Sequence, residues 1–521
     1  MKQKLELGAL VVFLFGLYSC APDEQPYDLN QLLTAEQVGA DVLPFEIAPV
    51  EAPFPTIDFV RPRFKADTIF INEGYNITDT VNAAIDHLSS TGGGVVVLEP
   101  GEWFSGRIEL KSNVNLHIRE GAVLSFSGEV EDYQPAVYTR IEGIELMSLG
   151  ACIYANGQQN IALTGKGRLV GPAPGSVRER ILTHIVIDEA VDLDLPVAER
   201  VYNGEDQDWI FPPMFISPIN CEQVFIEGLS LENTAFWNVV PIFCDNVIIR
   251  GIRINSVGIP RGDGIDIESS SNVLIEYCTL SCGDDCFTMK SGRGEDGVGT
   301  GRPTENVVVR YSLALEGHGG ITCGSETAGV IRNLYIHDSV FKGTGVGINF
   351  KTRRPRGGGG EFLYYERLRM DLTMTAIKWD MLGSPRHVGE LAERLPVREV
   401  NDLTPFYRDI FIKDLLIENS THFLKVDAIP ESPLTRIRLN NVEANSSQLS
   451  YLHDVEDLMI ENSIVRSPDN VLEVLDGRKL YFKGVTFNTG GRPVHLNVEG
   501  SRSDSIVFES SPGSPSSWFR N

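Results

Sequence analysis

The sequence predicts an all-β fold: a right-handed, single-stranded parallel β-helix with an N-terminal capping helix. Three observations carry that prediction. Segments of one form recur from about residue 220 to the C-terminus, with an Asx or other polar residue followed by apolar positions and β-branched residues, as in CEQVFIEGLSLEN, CDNVIIRGIRINS, SSNVLIEYCTLSC and YRDIFIKDLLIEN. Their first apolar residues are Val224, Val247, Val273, Val307, Leu334, Ile410, Ile437, Leu458 and Leu480, and all but one of the steps between them span 21 to 34 residues. Strands of about five residues returning at that interval suit a stacked coil, whereas propeller blades need longer periods and leucine-rich repeats a fixed leucine lattice. Finally, 50 glycines among 521 residues can supply tight corners, and 42% hydrophobic with 22% charged residues is the composition of a globular chain.

The elements follow in order. Residues 1–20 have the layout of a lipoprotein signal peptide: Lys2 and Lys4 precede an apolar run from Leu7 to Leu17, too short to span a bilayer. Leu17-Tyr18-Ser19-Cys20 then resembles the bacterial lipoprotein box, with Cys20 as the lipidated residue. That reading predicts an exported, outer-membrane protein on the periplasmic or cell-surface side, held by its lipid anchor alone. Residues 21–65, rich in proline and acidic side chains, form a tether and an irregular segment.

The β-helix occupies 66–505, leaving 506–521 as a C-terminal tail. Over Tyr75–Leu88, Ile77, Val81, Ala84, Ile85 and Leu88 recur at helical spacing behind Asn76 or Thr78 as N-cap, so this helix is expected to cover the open edge of the first coil. The long step from Leu334 to Ile410 holds at least one degenerate turn, over 362–379, and an insertion. Cys152, Cys221, Cys244, Cys278, Cys282, Cys286 and Cys323 have no metal-ligand companions at a recognisable spacing and read as buried structural residues.

With 71 acidic and 45 basic residues the net charge is −26, which repels nucleic acid and obliges any anionic ligand to find a local basic patch. Four consecutive repeats carry an unusual polar set: Arg261-Gly262-Asp263-Gly264, Gly283-Asp284-Asp285, Gly317-His318-Gly319 and Asn349-Phe350-Lys351-Thr352. All lie in the second half of their repeats, so stacking brings them to one face at about 4.8 Å per coil. Three carboxylates that close raise at least one another's pKa, and one can stay protonated as an acid while another serves as a base. Glycoside hydrolysis uses such a pair. Cation binding by Asp263, Asp284 and Asp285 is the rival reading of the same residues, although no EF-hand or nonapeptide calcium motif is present.

This cluster resembles glycoside hydrolase family 28, the polygalacturonase family, and in particular its bacterial exo-acting branch. The family's Asn-Thr-Asp-Gly, Gly-Asp-Asp, Gly-His-Gly and Arg-Ile-Lys-Thr stand here as RGDG, GDD, GHG and NFKT, in order and on successive repeats. The resemblance implies an inverting hydrolase needing no metal or cofactor, with Asp284 as general acid, Asp263 and Asp285 activating water, and His318 tuning the acid. It also implies that Lys351 binds a substrate carboxylate. Trp237 is a candidate stacking platform, and Arg261, Asn349, Arg353 and Arg354 complete the candidate substrate contacts, with Lys290, Arg293 and Arg356 nearby in sequence.

Arg261-Gly262 replaces the family's Asn-Thr, Val240 stands where a histidine is common, and Asn349 replaces an arginine that would clamp a carboxylate at two points. These departures predict that plain polygalacturonate is a poor substrate and that a galacturonate-containing glycan with another neighbour, of rhamnogalacturonan type, is preferred. The expected partner is an acidic plant-type or algal polysaccharide, bound by a monomer. A polysaccharide lyase on the same fold and a non-catalytic glycan-binding lipoprotein are the alternatives.

Overall fold

The computed structural model describes residues 26–178, 187–205, 207 and 209–520; the leader and Cys20 lie outside them. One hydrogen-bonded sheet links 31 strands, paired in parallel from coil to coil. The repeat markers stack directly on one another: Val224 pairs with Val247, Val247 with Val273, Val273 with Val307 and Val307 with Leu334. Leu363 fills the degenerate turn between Leu334 and Ile410, and the column continues through Ile437, Leu458, Leu480 and Ile506. The marker and the residue two positions after it point inward, as Val247 with Ile249 and Val307 with Val309, and the column of markers is buried.

The polar residue before each marker has a structural role. Asn246, Asn272, Asn306 and Asn333 all sit near φ +55°, a left-handed conformation that asparagine tolerates better than most residues. Their side chains form a ladder, with Asn306 donating to Asn272 at 3.3 Å and Asn333 to Asn306 at 2.9 Å. This pairs polar groups that would otherwise be left without partners at a repeated corner.

Helix α1 spans Thr78–Ser90 and buries Val81, Ala84, Ile85 and Leu88 over the first coil. Its N-cap is Ile77, between the two candidates Asn76 and Thr78, and Asn76 Oδ1 accepts the Thr78 N–H at 3.2 Å from just outside the helix. Before it, residues 26–64 make only short 3-10 turns and lie along the outside of the coils as a strap. Arg250 holds the strap through the carbonyls of Pro44, Phe45 and Glu46, and Phe59 packs with Phe225, Ile248, Leu274 and Val308.

The end of the chain departs from the sequence reading. Strand Asp504–Glu509 belongs to the last coil, and Ile506 bridges back to Trp518, so residues 506–520 are folded against the β-helix instead of forming a tail. The seven described cysteines are unpaired and buried.

One insertion shapes the functional face. Residues 127–149, with the described residues of 171–213, leave the early coils, form an antiparallel hairpin of Val137–Ile141 with Ile144–Ser148, and build a second apolar cluster on the outside of the sheet, while Ala151–Asn156, Gln159–Gly165 and Arg168–Val170 between them stay in the coils. Ile141, Ile144, Leu146 and Phe211 of the insertion pack there against Trp237, Val240 and Ile242 of the coil before the acidic cluster.

Candidate active site

Five strands of successive coils carry the site: β1 (Ile265–Glu268), β2 (Phe287–Lys290), β3 (Gly319–Cys323), β4 (Val346–Lys351) and β5 (Thr375–Asp380). They pair in parallel with matched register, Ile265 to Phe287, Phe287 to Ile321, Ile321 to Ile348 and Ile348 to Ile377. Asp263, Asp284, Asp285 and His318 all precede these strands, at the turn that enters the sheet, while Lys351 ends β4. Stacking therefore gathers them. Gly264 donates to the Asp285 carbonyl at 2.9 Å, and His318 to the Asp284 carbonyl at 2.8 Å, which ties the three turns together. A Cβ on Gly319 would stand 2.7 Å from Asp285 Oδ1, so only glycine lets that carboxylate sit where it does.

The side chains meet as the sequence suggests. His318 Nδ1 lies 3.6 Å from Asp284 Oδ1 and 3.8 Å from Asp285 Oδ1, and Lys351 Nζ lies 2.5 Å from Asp285 Oδ2. The His318 side chain is 49% and that of Asp284 36% exposed, whereas Asp285 is closed off at 1%. Asp284, Asp285 and His318 offer ligand atoms within 4.8 Å of one another and could hold a cation. The Lys351 ammonium already supplies positive charge at that place.

Beneath lies a layer of charge that sequence reasoning missed. Lys290, suggested above as part of a surface basic patch, is instead buried, 3.6 Å from Asp263, 3.4 Å from Asp266 and 3.4 Å from Glu326. Burial disfavours its ammonium, but the charges of Glu326, Asp266 and Asp263 outweigh that and hold it protonated. Arg140 from the insertion reaches Glu268 at 3.5 Å, and Asn238 Nδ2 donates to the Asp263 carbonyl at 2.8 Å. The signal was present in Ile265-Asp266-Ile267-Glu268, where strict alternation in an apolar strand puts both acids on the same outward face as the site.

Ionisation within the cluster is uneven. Burial and the neighbouring Asp266 and Asp284 charges push the Asp263 carboxyl well above its ordinary range. Burial also acts upward on Asp284, but the His318 hydrogen bond and the Lys351, His318 and Lys290 charges outweigh it and draw Asp284 down to about 2. In the free protein these opposite shifts favour the protonated form of Asp263 and the ionised form of Asp284, opposite to a donor that is already protonated before substrate arrives. The Asp284 hydrogen bond raises His318 above its ordinary pKa against the effect of its burial.

Several expected sugar contacts lie elsewhere. Trp237 is 4% exposed, stacked on Phe236 at 4.9 Å with Lys290 Nζ 4.4 Å from its ring, so it supports the buried lysine and offers no platform. Arg354 is buried in a bidentate pair with Glu431 and is not at the site. Asn349 is 2% exposed, donating to Thr322 Oγ1 at 3.5 Å, and forms part of the floor. Arg261 stands at the rim, 3.2 Å from Glu142 of the insertion, and Arg353 donates to Ser325 Oγ at 3.2 Å. Arg356 lies within 2.7 Å of Glu326.

Comparison with known proteins agrees with this arrangement. Residues 203–378, the segment that contains every carboxylate of the cluster, match the model of glycosyl hydrolases family 28. Over that segment, 176 of its 521 residues, the chain is similar to glycoside hydrolase family 28. The chain is similar to a probable polygalacturonase of Vitis vinifera, 26% identical over 70% of each chain. It also resembles an exo-poly-alpha-D-galacturonosidase of Dickeya chrysanthemi, 22% identical over 56% of this chain and 52% of that one. Among solved structures, a hyperthermoactive exopolygalacturonase of Thermotoga maritima superposes with a TM-score of 0.65 at 26% identity, covering 85% of this chain and 94% of the other. The chain is accordingly a glycoside hydrolase on a parallel β-helix.

Proposed function

We propose that this hydrolase cleaves galacturonate-containing pectic chains from one end, with inversion at the anomeric carbon. The convergence of Asp263, Asp284 and Asp285 with His318 and Lys351 on adjacent coils carries the reading. Asp284, the most exposed of the three carboxyls, gives a proton to the leaving glycosidic oxygen. The Asp263–Asp285 pair takes one from the water whose oxygen bonds to the anomeric carbon as the old C–O bond breaks. A substrate carboxylate arriving at Lys351 draws on the ammonium that helps keep Asp284 ionised, so binding favours transfer of the cluster's proton from Asp263 to Asp284. The acid then carries its proton only when substrate is present.

End-wise action is supported by the insertion. On the side of the earlier coils the outward positions Tyr154, Ser217 and Val240 are buried beneath it, whereas beyond Lys351 the sheet face is open. A chain can place only a terminus in a cleft closed at one end. The finer substrate reading, a galacturonate with a rhamnogalacturonan-type neighbour, rests on Asn349 in place of a clamping arginine. Attachment to the outer membrane through Cys20 rests on the leader sequence, and globomycin sensitivity of its processing tests it.

A panel of oligogalacturonides and rhamnogalacturonan oligomers, with products identified by mass spectrometry and the first-formed anomer by proton NMR, tests the reaction. Retained configuration overturns the inverting assignment. Products absorbing in the ultraviolet would mark a lyase, and best turnover on long unsubstituted polygalacturonate would overturn the preference for a mixed neighbour.

A further inference from the structure

The outward row that passes through the site continues beyond it. Asp266, Thr288, Thr322 and Asn349 are succeeded on the next coils by Lys378, Lys425, Tyr451 and Glu473, each paired with the one before. Lys378 lies on β5, Lys425 on β6 (Phe406–Asp427), Tyr451 on β7 (Leu434–His453) and Glu473 on β8 (Val471–Leu475). Two lysines and then an aromatic ring therefore follow the active site at about 4.8 Å per coil. They reach some three coils past Lys351.

These residues are available to a ligand. Lys378 is partly exposed and shares Asp380 at 3.1 Å. Lys425 makes no ion pair among the described residues and instead rests 5.5 Å from the Tyr451 ring centroid. The Tyr451 hydroxyl is held by Asp427, which fixes the ring beside the lysine. A groove of about 380 Å³ opens here, lined by Lys425 and Tyr451 together with His422, Gln448, Asp469 and Glu473. In a chain of net charge −26, a cation left without a carboxylate partner on the open side of the cleft is conspicuous.

From this continuity we infer that Lys378, Lys425 and Tyr451 form a binding track for the part of a uronate-bearing glycan that extends past the cleavage point. The lysines take carboxylates and the tyrosine takes the apolar face of a sugar ring. The track has a built-in end. Asp469 and Glu473 present negative charge at its far margin, so it serves about three sugar units and repels a fourth. Because the insertion closes the opposite side, this is the direction in which a long substrate leaves the active site. The inference rests on the proposed uronate substrate and adds a dependence on chain length.

The test compares kcat/KM on digalacturonate and hexagalacturonate for wild type, Lys425→Ala, Lys425→Arg and Lys413→Ala. Lys413 is exposed, pairs with Glu366 at 3.3 Å and lies outside the track, so its variant controls for the loss of one charge. The expected result is that Lys425→Ala lowers the hexamer-to-dimer ratio by about tenfold, through KM, and that Lys425→Arg restores most of it. Lys413→Ala should keep the wild-type ratio. A wild-type ratio in Lys425→Ala overturns the track while leaving the uronate reading intact. Where the wild type hydrolyses only rhamnogalacturonan oligomers, the same ratio is read on a short and a long one of these; wild-type enzyme that hydrolyses neither class overturns the uronate reading, and the track falls with it.

Discussion

At the scale of single residues, the decisive contrast is between Asp284 and Asp263, two carboxyls on neighbouring coils that burial and charge push in opposite directions. Asp284→Asn removes the group that donates to the leaving oxygen and should lower kcat by about 10²- to 10⁴-fold, with circular dichroism unchanged. A half-exposed histidine governs the pH dependence. His318 is raised because its protonated ring pairs with Asp284, so the pairing is complete below the ordinary histidine range and is lost as pH rises through the raised value. The kcat/KM profile should therefore fall on an alkaline limb above about 6.5, and His318→Gln should abolish that limb while lowering the plateau. A profile whose alkaline limb survives in His318→Gln would assign it to another group. Both carboxyls and the histidine stand out in the sequence, because GDD and GHG are rare tripeptides at matched positions of successive repeats. Trp237 misled for the opposite reason: its neighbours in sequence say nothing of the hairpin near residue 141 that covers the same cluster.

At the scale of elements, stability resides in columns. Trp379 of β5 is 1% exposed and stacks on Phe350 of β4 at 4.7 Å, so Trp379→Ala should cost about 3–5 kcal/mol, measured by urea denaturation. The strap depends on a different kind of contact. Arg250 is fully buried, pairs with Glu276 at 2.8 Å and Glu227 at 2.9 Å, and reaches three strap carbonyls. Replacing it by alanine takes the donor from the Pro44 and Glu46 carbonyls and one of two cationic partners from Glu227 and Glu276, and should cost about 3 kcal/mol while opening residues 44–65 to limited trypsin digestion. Equal digestion of wild type and variant would show that the apolar contacts of Phe59 hold the strap alone. The strap's lack of regular structure is legible in its prolines; its docking on Phe225, Ile248 and Leu274 is not, since these are ordinary strand residues until their outward direction is known.

For the whole molecule, the closed and open ends of the cleft make a prediction about products. On an acidic polysaccharide that it hydrolyses, the enzyme should release short products from the outset while solution viscosity falls slowly, which size-exclusion chromatography with viscometry would show. A rapid viscosity drop at low conversion would mean internal cleavage and a cleft open at both ends.

By itself the sequence determined the coil. Markers at Val224, Val247, Val273 and Val307 repeat because each must pack on the last, and a stacked architecture writes its period directly into the chain. The acidic cluster was legible for the same reason, since equal positions in successive repeats become neighbours in space. Only the tertiary structure decided what covers each face. Residues 127–149 and the described residues of 171–213 fold back over coils that come later in the chain, covering Trp237, on whose ring Lys290 rests, and one end of the cleft, and Arg354 turns away to Glu431. Such contacts join segments as much as 155 residues apart that share no repeat. Their partners are chosen by shape and charge in three dimensions and leave no period in the sequence.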